Sequence, residues 1–488
     1  MMRPDPCDYR IRIFRNLCWL AVGQLLWLST VFAANLPELD LPSTLSGAAT
    51  SARFFGGATR DGALTFSSIF QSHEAIDVTA EIQVEPEQIG SAGEIYIIAE
   101  MSGQFFMRVS DGTYLPWDLQ INTLQAAKTK AALAASELIS ILNQASFGVF
   151  DLAGAKLNFY LAYSANNAAD ELFFGGAPLV VSISDYDPLR LTASNAEIVD
   201  DTVYDAGRDR NIPVLIYPSE SFGSSPVILF SHGLGGTRFS AVYLFEQWSA
   251  RGYTVVSMQH AGSDEAIFDV SASQILESFT SAASLENSTA RIEDVSAVLD
   301  QLKIWNTDPQ HALYQKLDLN RVGMSGHSFG AVTTQAVSGQ TLFTTASATR
   351  DPRIKAATAL SPSLPSFGDS EAAFASVDIP WLLMTGTKDD APVKGVGSSV
   401  DGRLAVFPAL PEGDFYELVL FEGEHHAFTD RELNSIQNTR NPSHHSIVKA
   451  LSTAFWDAML LGDRSSLTWL RGEGANTVLE PGDTWQYK

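Results

Sequence analysis

A serine, a pair of aspartates and a pair of histidines occur along this chain in an order that suits nucleophilic acyl transfer. Ser328 is the centre of Gly326-His327-Ser328-Phe329-Gly330, a G-x-S-x-G pattern. The apolar residues Val322 and Met324 precede it, and the small-residue run Ala331, Val332, Ala336 and Val337 follows. In a strand–turn–helix setting such a serine sits on a sharp turn, with its hydroxyl presented at the end of the strand. A serine hydroxyl is a weak nucleophile at neutral pH; it needs a base within hydrogen-bond reach and a third group to orient that base. The histidines downstream are His425, His426, His444 and His445. The Gly-x-x-His-x-Phe spacing from Gly423 to Phe428 selects His426 as the base, with His425 as its neighbour and alternative. His444 and His445 are expected at the start of a C-terminal helix, as cap or surface residues. Gly386-Thr387-Lys388-Asp389 has a Gly-x-x-Asp spacing at the end of an apolar run, so Asp389 is the expected acid and Asp390 the alternate. Attack on a carbonyl makes an oxyanion that must meet preorganised N–H donors. Phe329, next to the serine, supplies one; Leu234, in the turn His232-Gly233-Leu234-Gly235-Gly236, supplies the other. His232 is expected to support that turn, and His260 to shape the pocket rim.

The elements that must position these groups fall into two patterns. From 195 onward, apolar runs at 212–217, 227–231, 253–258, 354–360, 381–385 and 416–421 alternate with helical periodicity. The helices include 288–304, expected to be capped by Ser288 or Thr289, and 446–461. Apolar strands alternating with helices imply a mostly parallel sheet covered on both faces. Ligands of such sheets bind at the carboxyl ends of the strands, where all the candidate residues fall. Residues 51–190 differ. Val78, Ala80, Ile82 and Val84 alternate with polar residues, as do Leu157, Phe159 and Leu161, and glycine-containing turns separate the runs. This predicts a β-sandwich-like domain with one helical insertion near 124–142, where Leu124, Ala127, Ala131, Ala134, Leu138 and Leu142 share a helical stripe. It is expected to be an accessory module, binding a surface or polymer or packing on the catalytic half. Residues 34–50 read as a linker.

The chain has 488 residues and a net charge of −25, which argues against nucleic acid as a partner. Arg3, Arg10, Arg12 and Arg15 precede an apolar run, and Val31-Phe32-Ala33 offers a cleavage site, so 1–33 is expected to be a signal peptide of an exported protein rather than an anchor. Cys7 and Cys18 are the only cysteines. A mature chain without them has no disulfide, no thiol nucleophile and no thiolate metal site. No cofactor or metal is expected.

Phe230-Ser231-His232-Gly233-Leu234-Gly235-Gly236, Gly326–Gly330 and the run from Asp209 to Pro218 resemble the platelet-activating-factor acetylhydrolase and predicted dienelactone hydrolase group of α/β-hydrolases. The resemblance covers about residues 200–462. It implies an α/β-hydrolase fold and a serine esterase with Ser328 as nucleophile, the Leu234 and Phe329 amides as oxyanion donors, and a small-molecule or lipid ester as substrate. Two departures limit what carries over. In the plasma-type acetylhydrolases the acid follows an Ala-Leu pair after the elbow, whereas here Ala359-Leu360 is followed by Ser361. True dienelactone hydrolases use a cysteine nucleophile. Neither named substrate is therefore transferred. The competing readings are a surface-binding protein on an inactive hydrolase fold and a serine peptidase on the same fold.

Overall fold

Alternating apolar and polar residues build the first of two compact units, which ends at Tyr186, while the second spans Asp187–Lys488. The computed structural model describes residues 36–488 except 61–64, 151, 169, 192–196, 220–222, 272, 343–348, 366–367, 392–397 and 431–440. The expected signal peptide, with both cysteines, lies outside the described residues. Among the described residues no helix is long and apolar enough to cross a membrane.

In the first unit, strands Arg53–Arg60, Ile76–Gln83 and Ser136–Ala145 form one antiparallel sheet. A larger sheet is centred on the antiparallel pair Gly93–Met101 and Lys156–Ala165. Val78, Ala80 and Ile82 from the first sheet share one apolar cluster with Ile95, Ile97, Leu157 and Phe159 from the second. A shared core is what two facing sheets require.

Two expectations fail here. The helical insertion near 124–142 is absent: the stretch holds a 3-10 turn at Ile121–Thr123, a short strand at Lys128–Lys130 and most of the strand Ser136–Ala145. Leu138, placed on the inward stripe of a helix, is 64 % exposed, while its neighbours Glu137, Ile139 and Ile141 are buried. Alanines fit a period of 3.6 or of 2 equally well; the β-branched Ile139 and Ile141 and the partner strand Ile76–Gln83 decide for 2. Nor is 34–50 simply a linker. Ser43–Thr44 pairs with Phe173–Phe174, and Leu39 packs on the core.

The second unit is built on nine strands: β1 (Val199–Asp205), β2 (Arg210–Tyr217), β3 (Ser225–Ser231), β4 (Thr254–Met258), β5 (Leu317–His327), β6 (Ile354–Leu360), β7 (Trp381–Lys388), β8 (Phe415–Glu424) and β9 (Thr484–Tyr487). Their spatial order is β1-β2-β4-β3-β5-β6-β7-β8-β9. The six strands from β4 to β8 in that order are mutually parallel. β1, β2 and β9 are antiparallel to their neighbours at the two edges. The helices that matter to the site are α1 (Val242–Arg251), α2 (Ile275–Ala282), α3 (Leu285–Trp305), α4 (Phe329–Val337), α5 (Val400–Leu404) and α6 (Pro442–Leu460).

Helices cover both faces of the sheet. Val295, Val298, Leu299 and Leu302 of α3 pack with Val227, Leu229, Val322 and Met324. Side chains alternate along a strand, so Phe230 and Gly323 face the other way. There Phe230 meets Phe245 of α1 edge-on, and Gly323 leaves the space that Trp456 and Leu460 of α6 occupy. The caps differ from expectation. Ser284, not Ser288 or Thr289, caps α3 by accepting from the Asn287 N–H. Ser288 and Thr289 lie inside the helix and bond back to the carbonyls of Ser284 and Leu285. α6 begins at Pro442 behind the cap Asn441, which places His444 and His445 within its first turns; His444 is buried, and His445 stacks on Tyr243.

Candidate active site

The turn at Ser328 is the sharpest point of the sheet. β5 ends at His327 and α4 starts at Phe329, leaving Ser328 to make the whole reversal at φ 56°, ψ −113°. A non-glycine residue held at positive φ outside the usual regions costs about 1–3 kcal/mol. The flanking glycines make the turn possible. A Cβ on Gly330 would overlap the carbonyl of Ser231 at the end of β3, and one on Gly326 would overlap the carbonyl of Gly330.

The histidine in contact with that serine is His425, not the expected His426. β8 closes into a 3-10 turn, His425–Phe428, whose first residue points at the elbow. His425 Nε2 is 2.9 Å from Ser328 Oγ, and His425 Nδ1 is 2.7 Å from Asp389 Oδ1. The spacing rule counted from Gly423 and missed by one residue, because β8 runs on through Glu424 and delivers His425 first. His426 makes neither contact; its ring meets that of His425 edge-on. With Nδ1–H given to the carboxylate, Nε2 is the acceptor for the serine O–H, the tautomer a general base requires.

Asp389, as expected, is the acid that reaches the histidine, and it is fully buried. Its second oxygen accepts from Thr385 Oγ1 at 2.9 Å. Asp390 faces elsewhere and accepts from the Val400 N–H at the start of α5. A residue that sequence reasoning missed holds this corner. Arg403 of α5, almost wholly buried, donates Nε to the Asp389 carbonyl at 2.6 Å and lies 3.1 Å from its carboxylate. Its Nη1 donates to the carbonyls of Ser361 and Pro362. Ser361 is at φ 60° with its own N–H given to Met384, so β6 ends in a second strained turn that Arg403 ties to the acid loop.

The turn after β3 lies against Ser328: a Cβ on Gly233 would come 3.3 Å from Ser328 Cβ. The N–H groups of Leu234 and Phe329, the two expected oxyanion donors, find no protein acceptor among the described residues. His232 supports the turn, as expected. Its Nδ1 bonds the Gly233 carbonyl at 2.7 Å and its Nε2 accepts from the His260 N–H at 3.0 Å. Burial, with Arg291 nearby, pushes its pKa well below 6.5, in keeping with a neutral ring. His327 is likewise pushed well down, by burial and the neighbouring His425. Leu234 packs on a small apolar cluster of Ile267, Phe279 and Ala282, which roofs this side of the site with the 3-10 turn Glu265–Phe268 and α2.

His260 does not shape a pocket rim. It is fully buried and forms a second serine–histidine–aspartate chain behind the first. Its Nε2 is 2.9 Å from Ser231 Oγ, and its Nδ1 is 2.9 Å from Asp294 Oδ2. Ser231 has no exposed surface, so this chain cannot meet a substrate. Burial and Arg291 bring the His260 pKa down to about 4. One sign of this network was legible: Arg291 and Asp294 fall on the same helical stripe as Val295, Val298 and Leu302, where charges are costly unless partnered.

Among the described residues no group of three or more His, Cys, Asp or Glu side chains converges as a metal site would require. No protein-family model matches the chain, and comparison with curated proteins returns no match.

Proposed function

We propose that the chain is an exported serine hydrolase of carboxylic esters, working through an acyl-enzyme on an α/β-hydrolase sheet. The observation that carries this reading is the continuous chain from Ser328 Oγ through His425 to Asp389, at 2.9 and 2.7 Å, beside two backbone N–H groups with no acceptor among the described residues. His425 Nε2 takes the serine proton as Oγ bonds to the ester carbonyl carbon. The carbonyl oxygen gains the charge and meets the N–H groups of Leu234 and Phe329. Asp389 keeps the imidazole oriented and stabilises its cation without taking the proton. His425 then protonates the departing alkoxide, and collapse leaves the acyl group on Ser328. Water attacks that ester by the same steps, with His425 again as base, and releases the acid.

Support for export comes from the N-terminal sequence, and support for an ester rather than a peptide substrate comes from the family resemblance. The first unit is read as an accessory module, binding a surface or polymer or packing on the catalytic half. The test is a fluorophosphonate probe together with aryl esters of rising acyl length. Labelling at Ser328, lost in Ser328→Ala together with ester turnover, is the expected result. An unlabelled Ser328, or full turnover in Ser328→Ala, overturns the proposal.

A further inference from the structure

Arg291 of α3 is fully buried, yet among the described residues it has no carboxylate within ion-pair distance. Its partners are neutral. Nη1 donates to the His232 carbonyl at 2.7 Å and to Ser231 Oγ at 3.3 Å, and Nε donates to Ser263 Oγ at 2.8 Å. The guanidinium carbon lies 4.5 Å from the centroid of the Phe329 ring. The carboxylates of Asp294 and Asp264 act on it only from beyond ion-pair distance, and its hydrogen-bonded link to Asp294 is indirect. Arg291 donates to Ser231, Ser231 donates to His260, and His260 donates to Asp294, which is itself held by Arg208 and Arg210. The neutral histidine and serine thus keep the guanidinium and its carboxylate apart.

Burying a cation without a direct counter-ion is expensive, and burial pulls the Arg291 pKa down to about 9. A fold that needed only packing here would be served by a leucine. The two places the guanidinium grips are informative. His232 opens the turn that carries Leu234, and Phe329 carries the other expected oxyanion donor. Resting on the reading of Ser328 as the nucleophile, we propose that Arg291 is the positioning residue of the oxyanion site: it ties the turn from β3 to the first residue of α4, and sets a positive charge behind the two N–H groups that receive the developing oxyanion. The Ser231–His260–Asp294 chain serves that cation, holding it in place without neutralising it at close range. Held in the protein interior, such a charge acts more strongly on the transition state than on the neutral ester.

The test uses the full chain with Arg291→Met, Arg291→Lys and Phe329→Leu. Three readouts are compared: kcat and KM on an aryl ester, inhibition by an aryl trifluoromethyl ketone, and binding of the matching methyl ketone. The first ketone forms an anionic adduct on the serine, and the second binds as a neutral ligand. Arg291→Met is expected to lower kcat and affinity for the trifluoromethyl ketone by about 100-fold each, with methyl ketone binding within about threefold. Arg291→Lys, which keeps the charge but loses the fork, should fall between Met and wild type, and Phe329→Leu should lose about tenfold in the same two readouts. If Arg291→Met does not fold, the other two variants decide the matter by the same selective loss. Equal losses for charged and neutral ligands, or no loss in either folded variant, overturn the positioning role. A wild-type chain that neither turns over esters nor labels at Ser328 overturns the underlying reading instead.

Discussion

His327, immediately before Ser328, holds His425 by its backbone: its Nε2 lies 2.9 Å from the carbonyl oxygen of His425. The ring is buried and its pKa is pushed well down, so it remains the neutral donor this bond needs. One short segment therefore presents both the Ser328 hydroxyl and the anchor for the histidine that contacts it. The side chain of His425 is left facing Ser328 and Asp389, with Arg403 Nη2 3.3 Å from its Nδ1, and His426 makes neither the serine nor the aspartate contact.

That division predicts opposite outcomes for adjacent histidines. His425→Ala should lower kcat/KM for an aryl ester by at least about 10⁴-fold, the scale seen when one member of a triad is removed. His426→Ala should stay within about tenfold of wild type. Steady-state kinetics on the two purified variants check this, and a reversed ranking would place the base at His426.

The two aspartates are separable in the same way. Asp389→Asn keeps the shape but loses the acceptor that fixes the His425 tautomer, so kcat should fall about 10⁴-fold. Asp390→Asn changes only a group that accepts from the Val400 N–H, and kcat should change by less than about threefold. Arg403→Met should lower both stability and ester turnover, since its guanidinium lies 3.1 Å from the Asp389 carboxylate and 3.3 Å from His425 Nδ1. Three backbone carbonyls, of Asp389, Ser361 and Pro362, lose their donor, at a cost of about 3 kcal/mol, read as a lower midpoint in urea.

These contrasts also mark where the sequence was readable. Ser328 was legible because its turn admits only glycine at 326 and 330, a constraint written directly into the residues. The six parallel strands were legible because both faces are covered and their apolar runs are continuous. His425 was misplaced because a spacing rule does not register how far β8 extends before its turn. The false helix near 124–142 arose from alanines, which carry no period of their own. The antiparallel edge strand β9 was not anticipated, since Thr484-Trp485-Gln486-Tyr487 is too short to show a pattern. Arg403 was overlooked because no local motif surrounds it, and Arg291 because its place on an apolar helical stripe marks a buried charge without naming its partners. Their partners come from distant segments that only the folded sheet brings together.

Three buried histidines predict how the second unit responds to acid. His232, His260 and His327 are all held below the ordinary 6.5, His260 at about 4. Below pH 6.5 the unfolded chain binds protons that the folded chain refuses, so stability falls as pH falls, by about 1.4 kcal/mol per unit for each histidine. For His260 the loss accumulates between about 6.5 and 4. Glu417 opposes this: burial raises its pKa from 4.5 to about 7, so the folded state holds the extra proton and its stability falls as pH rises through that window. Three slopes outweigh one. Urea midpoints measured at pH 7, 6 and 5 should decrease in that order, and Glu417→Gln should make the decrease steeper. A flat series would mean that the histidines are not held neutral.

The elbow itself predicts a trade of stability against activity. Ser328 pays for its exposed hydroxyl with a backbone at φ 56°, ψ −113°, which a side chain resists and glycine does not. Ser328→Gly should therefore unfold at a higher urea concentration than Ser328→Ala, with a gain of about 1 kcal/mol, although both lack the hydroxyl. Comparing the two dead variants removes any contribution from the lost hydroxyl. Gly330→Ala is the reverse case, since its Cβ would overlap the Ser231 carbonyl and force β3 away from α4. It should be strongly destabilised, by about 3 kcal/mol or more, and any folded fraction should be slow in ester turnover because the turn that carries Leu234 begins at that carbonyl. If Ser328→Gly and Ser328→Ala unfold at the same midpoint, the strain is not stored at this residue.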